Sequence, residues 1–349
     1  MMMKGYMMKH LKALVTAEIF IGDLQRAYPE IDFEFCGYGH NFKMLTPEEL
    51  KRKCRNVDII ISEFDTIDES VMRTAQKLKL IICCRAGVKT VIDLDAAKRN
   101  GIMVCNNVGR NANAVSDFTI GLILDLTRNI SMTNRMIQEE ILTTTKQTMP
   151  REYQDSLWGL EKESPYIAFR GRGLRNMTLG LVGFGCAGRL VAEKAGWFGM
   201  KIIVSDPYVD RTTVPKTVEV VEFEELLQRA DIVSVHCAGG KDLKNMFSKE
   251  QFRLMKKDAY FINAARGYFV DESALIDALN NGDICGAALD VVNEEPMRPD
   301  NPLLEAKNLV ITPHIAGSSS DTLRCGTDMV IEALESYLKG ERPKHCIIG

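Results

Sequence analysis

Short apolar runs alternate with amphipathic segments from one end of this chain to the other. That alternation leaves few folds open. A run of apolar residues buried on both faces suits a strand of a parallel sheet, and the amphipathic segments supply the crossover helices that cover it. In the first third, strands are predicted at Lys12–Val15, Ile31–Phe35, Val57–Ile61, Lys79–Cys83 and Ile102–Cys105. One helix is predicted to open at Thr46-Pro47-Glu48-Glu49, a capping residue, a proline at the first helical position and acids in the first turn. Others are predicted from Asp68, over Asp93–Arg99 before Asn100-Gly101, and over Ala112–Arg128. A second series has predicted strands at Thr178–Val182, Lys201–Ser205, Val218–Val221, Ile232–His236, Ala259–Asn263, Ile284–Leu289 and Leu309–Thr312. Its predicted helices are Ala187–Phe198, Phe223–Arg229, Lys249–Met255 with a Ser248/Gln251 capping box, and Glu272–Asn280. A last helix over Ser319–Lys339 follows the second sheet and is expected to return to the first domain. Two α/β domains are therefore expected.

Between the two series, residues 131–165 are polar and interrupted by Pro150. They are expected to form a loop or arm that serves a dimer contact or covers the cleft, since they hold too few apolar residues for a core. The net charge of −3 is spread along the chain without a basic run, which argues against a nucleic-acid partner. The longest apolar stretches have strand length, too short to span a bilayer, and the N-terminus lacks the pattern of a secretory signal. Ten cysteines without a Cys-x-x-Cys pair or zinc spacing read as buried thiols in a reducing, cytoplasmic compartment, with no metal expected.

The segment TLGLVGFGCAGRLVAEKAG carries Gly183-x-Gly185-x-x-Gly188 between an apolar strand and an amphipathic helix. In that context the glycines have distinct tasks. Gly183 permits a tight turn, Gly185 lets a pyrophosphate approach the backbone, and Gly188 lets helix and strand pack closely. The helix N-terminus offers free N–H groups to phosphate. The next predicted strand ends at Asp206, 23 residues past Gly183, near the spacing of about 20 expected for an acid on the adenosine ribose. A carboxylate there favours NAD over NADP.

Three polar residues follow strands of the second series. Arg266 lies in NAARG, and its planar fork suits a carboxylate in two-point contact. Glu295 lies in ALDVVNEEP and His314 in ITPHIAG. Hydride transfer to or from an alcohol needs an acid/base for the hydroxyl proton. Imidazole titrates in the useful range, and a nearby carboxylate fixes its tautomer and favours the protonated form.

Several blocks in order, GFGCAG, SDPYV, FEELLQRADIVSVH, NAARGYFVDESALIDALNNG, GAALDVVNEEP and NLVITPHIAGSS, are similar to the D-isomer-specific 2-hydroxyacid dehydrogenases, the family of phosphoglycerate, glycerate and D-lactate dehydrogenases. The resemblance covers nearly the whole chain. It implies a Rossmann-type NAD-binding domain, residues 110–317, inserted in a flavodoxin-like substrate domain, residues 1–109 and 318–349. It also implies an active site in the cleft and a homodimer formed through the cofactor domain. The family's catalytic triad falls on Arg266, Glu295 and His314, with Arg266 binding the carboxylate and 2-oxygen, His314 the acid/base and Glu295 tuning it. Cofactor contacts fall on Gly183, Phe184, Gly185, Cys186, Ala187, Gly188, Asp206, Pro207, His236, Cys237 and Ala316, and the nicotinamide carboxamide site on Ala264 and Asp290. Substrate contacts fall on Arg85, Ala86, Gly87, Val88, Arg266 and His314.

The chain also departs from the family pattern. The Cys84–Lys89 loop is one residue short of the common glycine-rich form and carries Lys89. Ser62-Glu63-Phe64-Asp65 stands where phosphoglycerate dehydrogenases carry the basic residues that meet a phosphate, which speaks against phosphoglycerate as substrate. His236-Cys237-Ala238 lacks the usual Pro and Thr, and Cys186 replaces a longer polar residue. Glu295 argues against formate oxidation, which pairs the histidine with glutamine. An NAD-sensing or co-repressor-like binding protein on the same fold is the alternative, since such relatives keep the triad.

Overall fold

A computed structural model describes residues 10–142 and 164–349. They divide into two compact units, one made of the chain up to Asn113 with Ser318–Gly349, the other of Ala114–Gly317. Each unit is built on its own sheet, with strands numbered here along the chain.

The sheet of the first unit contains β1 (Lys12–Val15), β2 (Asp32–Phe35), β3 (Ile59–Ser62), β4 (Leu80–Cys83), β5 (Met103–Asn106) and β13 (Cys346–Ile348), in the order β13-β5-β4-β3-β1-β2. The first five are mutually parallel, and β13 pairs antiparallel with β5. Alternate residues enter opposite cores, as a pleated strand requires. Leu14, Ile60, Ile81 and Val104 face one layer of helices. Ala13, Val15, Ile59, Ile61, Leu80 and Ile82 face the other, where Val330, Ala333 and Leu334 of the helix Ser320–Leu338 are buried.

The second unit holds β6 (Thr178–Val182), β7 (Lys201–Ser205), β8 (Val218–Val220), β9 (Ile232–Val235), β10 (Tyr260–Asn263), β11 (Gly286–Leu289) and β12 (Leu309–Ile311). Their order is β12-β11-β10-β9-β6-β7-β8, all parallel. Both faces are again filled, by Val233, Val235, Phe261 and Leu289 on one side and Leu179, Leu181, Ile232 and Ile262 on the other. Because parallel strands point one way, the loops that follow them gather at a single edge of each sheet, the usual ligand edge of open α/β sheets.

Helix starts obey the sequence. Thr46 and Glu49 form a reciprocal capping box, as do Ser248 and Gln251. Several elements depart from expectation, among them the short helices Tyr38–Asn41 and Pro165–Ala168. Ile21–Ala27 is helical although no side chain caps it and only Leu24 is buried. Cys346–Ile348 is a strand that borrows its order from β5. The polar stretch expected as a loop opens as a helix, Ile130–Gln138, entered through Asn129 in the left-handed region at φ 57°. Within that stretch, residues 143–163 lie outside the described residues.

Candidate active site

The loop after β6 is shaped by glycine where nothing larger fits. Gly183 has φ +96°, and a Cβ there would sit 2.5 Å from the Cys237 backbone nitrogen. A Cβ on Gly188 would sit 2.4 Å from the Gly183 carbonyl oxygen, so the helix Cys186–Trp197 can approach β6 only without one. Gly185 instead faces open space: no atom lies within 4 Å of its would-be Cβ. Phe184 is buried, whereas Gly185 and Cys186 are exposed and Ala187 half-buried. This is a cradle of the kind a pyrophosphate fills, bare backbone at the start of a 12-residue helix.

Asp206 follows β7 and is tied to that cradle. Its Oδ2 accepts from the Phe184 N–H at 2.8 Å, and its Oδ1 from the Tyr208 N–H at 2.9 Å. A carboxylate has about four acceptor positions. One on each oxygen stays available, which matches two adjacent ribose hydroxyls. Pro207 is exposed beside it. At the end of β9, His236 Nε2 lies 2.8 Å from Ser234 Oγ, and burial pushes the imidazole down to about 4. Burial likewise pushes the neighbouring Cys237 thiol up to about 11.

Arg266, Glu295 and His314 follow three adjacent strands, β10, β11 and β12, and so share one edge of the sheet. Arg266 is exposed, donates to its own neighbour's carbonyl at Ala265 (2.5 Å), and has no acidic partner among the described residues. Its turn is held by buried Asn263, whose Nδ2 donates to the Arg266 carbonyl (2.8 Å) and whose Oδ1 accepts from Ala265 N–H (3.0 Å). Ala264 is half-buried within that turn. Gly267 presses the turn against the next loop: a Cβ there would lie 2.0 Å from the Val292 carbonyl oxygen. In that next loop, Glu295 Oε1 accepts from the Val292 N–H at 3.0 Å, which aims Oε2 at His314 Nδ1, 2.7 Å away.

His314 takes a left-handed backbone, φ 56°, costly for a residue with a Cβ. Asp290, fully buried at the end of β11, holds it there. Its Oδ1 accepts from Thr312 Oγ1 (2.7 Å) and the Ile315 N–H (2.9 Å), its Oδ2 from the Ala316 N–H (2.8 Å), while its carbonyl accepts from the His314 N–H (2.8 Å). Three of about four acceptor positions on the carboxylate are thus filled from within the protein. Asn263, Gly267 and Asp290 as organisers of this edge were not foreseen as such. Only the burial of polar residues at strand ends, visible once the strands pair, marks them.

In the first unit, the Arg85–Val88 loop follows β4. Its carbonyls are engaged, Ala86 by Asn106 Nδ2 (2.8 Å) and Arg85 by the Asn107 N–H (3.2 Å). The N–H groups of Ala86, Gly87 and Val88 have no acceptor among the described residues, and a Cβ on Gly87 would meet nothing within 4 Å. Glu63, after β3, is buried and paired with Arg110; its desolvation outweighs that pairing and raises its carboxyl above the ordinary range.

Among the described residues, no group of three or more His, Cys, Asp or Glu could hold a metal ion, and no helix is long and apolar enough to cross a membrane. All ten cysteines are free thiols.

Residues 120–316 match the family model for the D-isomer specific 2-hydroxyacid dehydrogenase NAD-binding domain. The chain is 37% identical over 299 residues to glyoxylate reductase of Thermofilum pendens, covering 85% of this chain and 83% of that one. It is 34% identical over 306 residues to D-3-phosphoglycerate dehydrogenase of Methanocaldococcus jannaschii, covering 87% of this chain but 54% of that longer relative. A solved structure from Thermus thermophilus superposes with a TM-score of 0.77 at 30% identity, over 97% of this chain and all of that one. The match of the NAD-binding domain model over more than half of the chain and the extent of these likenesses agree: the chain belongs to the D-isomer specific 2-hydroxyacid dehydrogenase family.

Proposed function

We propose that this protein reduces a 2-oxo acid to the D-2-hydroxy acid with NADH, and runs the reverse oxidation, through Arg266, His314 and Glu295. The observation that carries the reading is the 2.7 Å contact of Glu295 Oε2 with His314 Nδ1, from a carboxylate already fixed by the Val292 N–H. With Nδ1–H donated to Glu295, the tautomer is set and Nε2 is the working nitrogen. In the reductive direction Nε2–H gives its proton to the 2-oxygen; in oxidation the bare Nε2 takes the hydroxyl proton. The bound nicotinamide supplies or accepts the hydride at C2.

Arg266, without an acidic partner among the described residues, presents its guanidinium to the 2-oxygen and carboxylate, where positive charge stabilises the developing alkoxide. Ala86, Gly87 and Val88 offer three N–H groups that no described residue accepts from, with Arg85 beside them, a nest suited to a carboxylate. The cradle Gly183–Gly188 takes the pyrophosphate and Asp206 the adenosine ribose, next to Pro207. His236 and Cys237 line the adjoining loop. Ala264, Asp290 and Ala316 stand at the nicotinamide end, where the one remaining acceptor position of Asp290 suits a carboxamide N–H. The first unit is the substrate domain and the second the dinucleotide domain. The partner in solution is a second copy of the chain, and ten free thiols suit the cytoplasm.

NADH oxidation measured with a panel of 2-oxo acids tests this reading. Turnover that yields the D-hydroxy acid supports it. Tight NADH binding without turnover on any of the panel would refute it and favour a nucleotide-sensing protein.

A further inference from the structure

In the first unit an aromatic cluster stands at the ligand edge of the sheet, and neither the cofactor nor the proton chemistry uses it. The strand order changes direction between β1 and β3, which is where open α/β sheets form a ligand crevice. Tyr38 and Phe42 lie just past β2, Phe64 just past β3, and Arg85 just past β4. The Tyr38 and Phe64 rings meet edge to face with centroids 4.7 Å apart, so the pair reaches across the end of β1. Phe42 adds a second edge contact to Tyr38 at 5.8 Å, and the Arg85 guanidinium sits 5.2 Å over the Phe64 ring.

The backbone is built to put the rings there. Gly37 has φ +68°, and a Cβ on Gly39 would lie 1.9 Å from the Ala17 carbonyl oxygen, so only glycines let this segment lie down on the end of β1. The Gly39 N–H donates to the Thr16 carbonyl at 2.8 Å and fixes the approach. Yet the rings are not consumed by packing: Phe42 is 72% exposed and Phe64 36%. Flanking Phe64, Glu63 and Asp65 are buried acids, and the cation of Arg85 is turned onto a ring face. A second anionic group on the substrate would meet aromatic rings here, with the nearby Arg85 guanidinium already turned onto one of them.

We infer that Tyr38, Phe42 and Phe64 form a side-chain subsite for a 2-oxo acid bearing an uncharged aromatic group, beside the Ala86–Val88 nest that takes its carboxylate. The inference rests on the dehydrogenase reading. Aromatic rings gain from offset or edge-on contact with exposed rings beyond the area they bury, and Arg85, by holding one face of Phe64, fixes its orientation.

The test is the steady-state kcat/KM with NADH for three acids: phenylpyruvate, which carries a benzyl group, glyoxylate, which carries none, and 2-oxoglutarate, which carries a second carboxylate. Phenylpyruvate should lead the other two by about tenfold or more. Phe42→Ala, at an exposed position, and Phe64→Leu should each lower the phenylpyruvate-to-glyoxylate ratio by about fivefold or more. Glyoxylate turnover in the same preparation reports that each variant is folded. A parent enzyme that prefers glyoxylate or 2-oxoglutarate, or ratios unmoved in the variants, would overturn the inference and leave the dehydrogenase reading intact. No oxidation of NADH by any of the three would overturn both.

Discussion

Asp290→Asn exchanges one oxygen for an amide nitrogen at a fully buried site where three of about four acceptor positions are filled from within the protein. The amide oxygen can keep the position of Oδ1 and still accept from Thr312 Oγ1 and the Ile315 N–H. The amide NH2 then faces the Ala316 N–H, donor against donor, where Oδ2 accepted at 2.8 Å. Losing one charge-assisted bond in a buried turn costs about 1.5–3 kcal/mol. The turn it ties down is the one that carries His314 at φ 56°, so relaxation there moves the imidazole. A shift of about 1 Å in a reacting group costs on the order of 100-fold in rate. Urea denaturation should therefore show the stability loss, and kcat with the best 2-oxo acid should fall by more than NADH affinity does. A variant within about 0.5 kcal/mol and about threefold in kcat of the parent would refute the claim that Asp290 holds the catalytic turn.

Asp206→Ala should narrow the preference for NADH over NADPH by about tenfold or more, since the carboxylate repels a 2′-phosphate; kcat/KM with each cofactor reads this. Gly188→Ala, whose Cβ would fall 2.4 Å from the Gly183 carbonyl oxygen, should weaken NADH binding by about tenfold or more and lower the melting temperature. His236 is held neutral in the fold by burial, down at about 4. Its contribution to stability is complete above the unfolded value of about 6.5 and is lost as pH falls toward the folded value. Between pH ~7.5 and ~5.0 that linkage is worth about 2 kcal/mol at most. Denaturation midpoints of His236→Gln should fall correspondingly less than the parent's over that interval. Glu295→Gln places an amide NH2 opposite either the Val292 N–H or His314 Nδ1, and kcat should drop by about tenfold or more.

Much of this architecture could be read from the chain. Lys12–Val15, Thr178–Val182, Lys201–Ser205 and the helix Phe223–Arg229 fall where the sequence puts them, because the strands are dense apolar runs and the helix is amphipathic, burying Leu226 and Leu227. The elements that escaped have no such local signal. Cys346–Ile348 is a strand only through β5, and Ile21–Ala27 buries a single leucine. Ile130–Gln138 buries none of its residues, so its composition reads as loop. The glycine cradle and the three polar strand ends were legible because spacing and position relative to strands carry them. Asn263, Gly267 and Asp290 were harder, since their work is to brace neighbouring loops. The resemblance marks Asp290 as a cofactor contact, but its bracing of the His314 turn shows only once β12 is paired beside β11 and that turn closes over it.

The central claim is that His314, oriented by Glu295, moves the proton. The most direct measurement is kcat for His314→Gln in the reductive direction, with NADH affinity measured separately by fluorescence titration. The account predicts that kcat falls by about 100- to 10,000-fold while NADH still binds. A His314→Gln enzyme that keeps kcat within about threefold of the parent would contradict it.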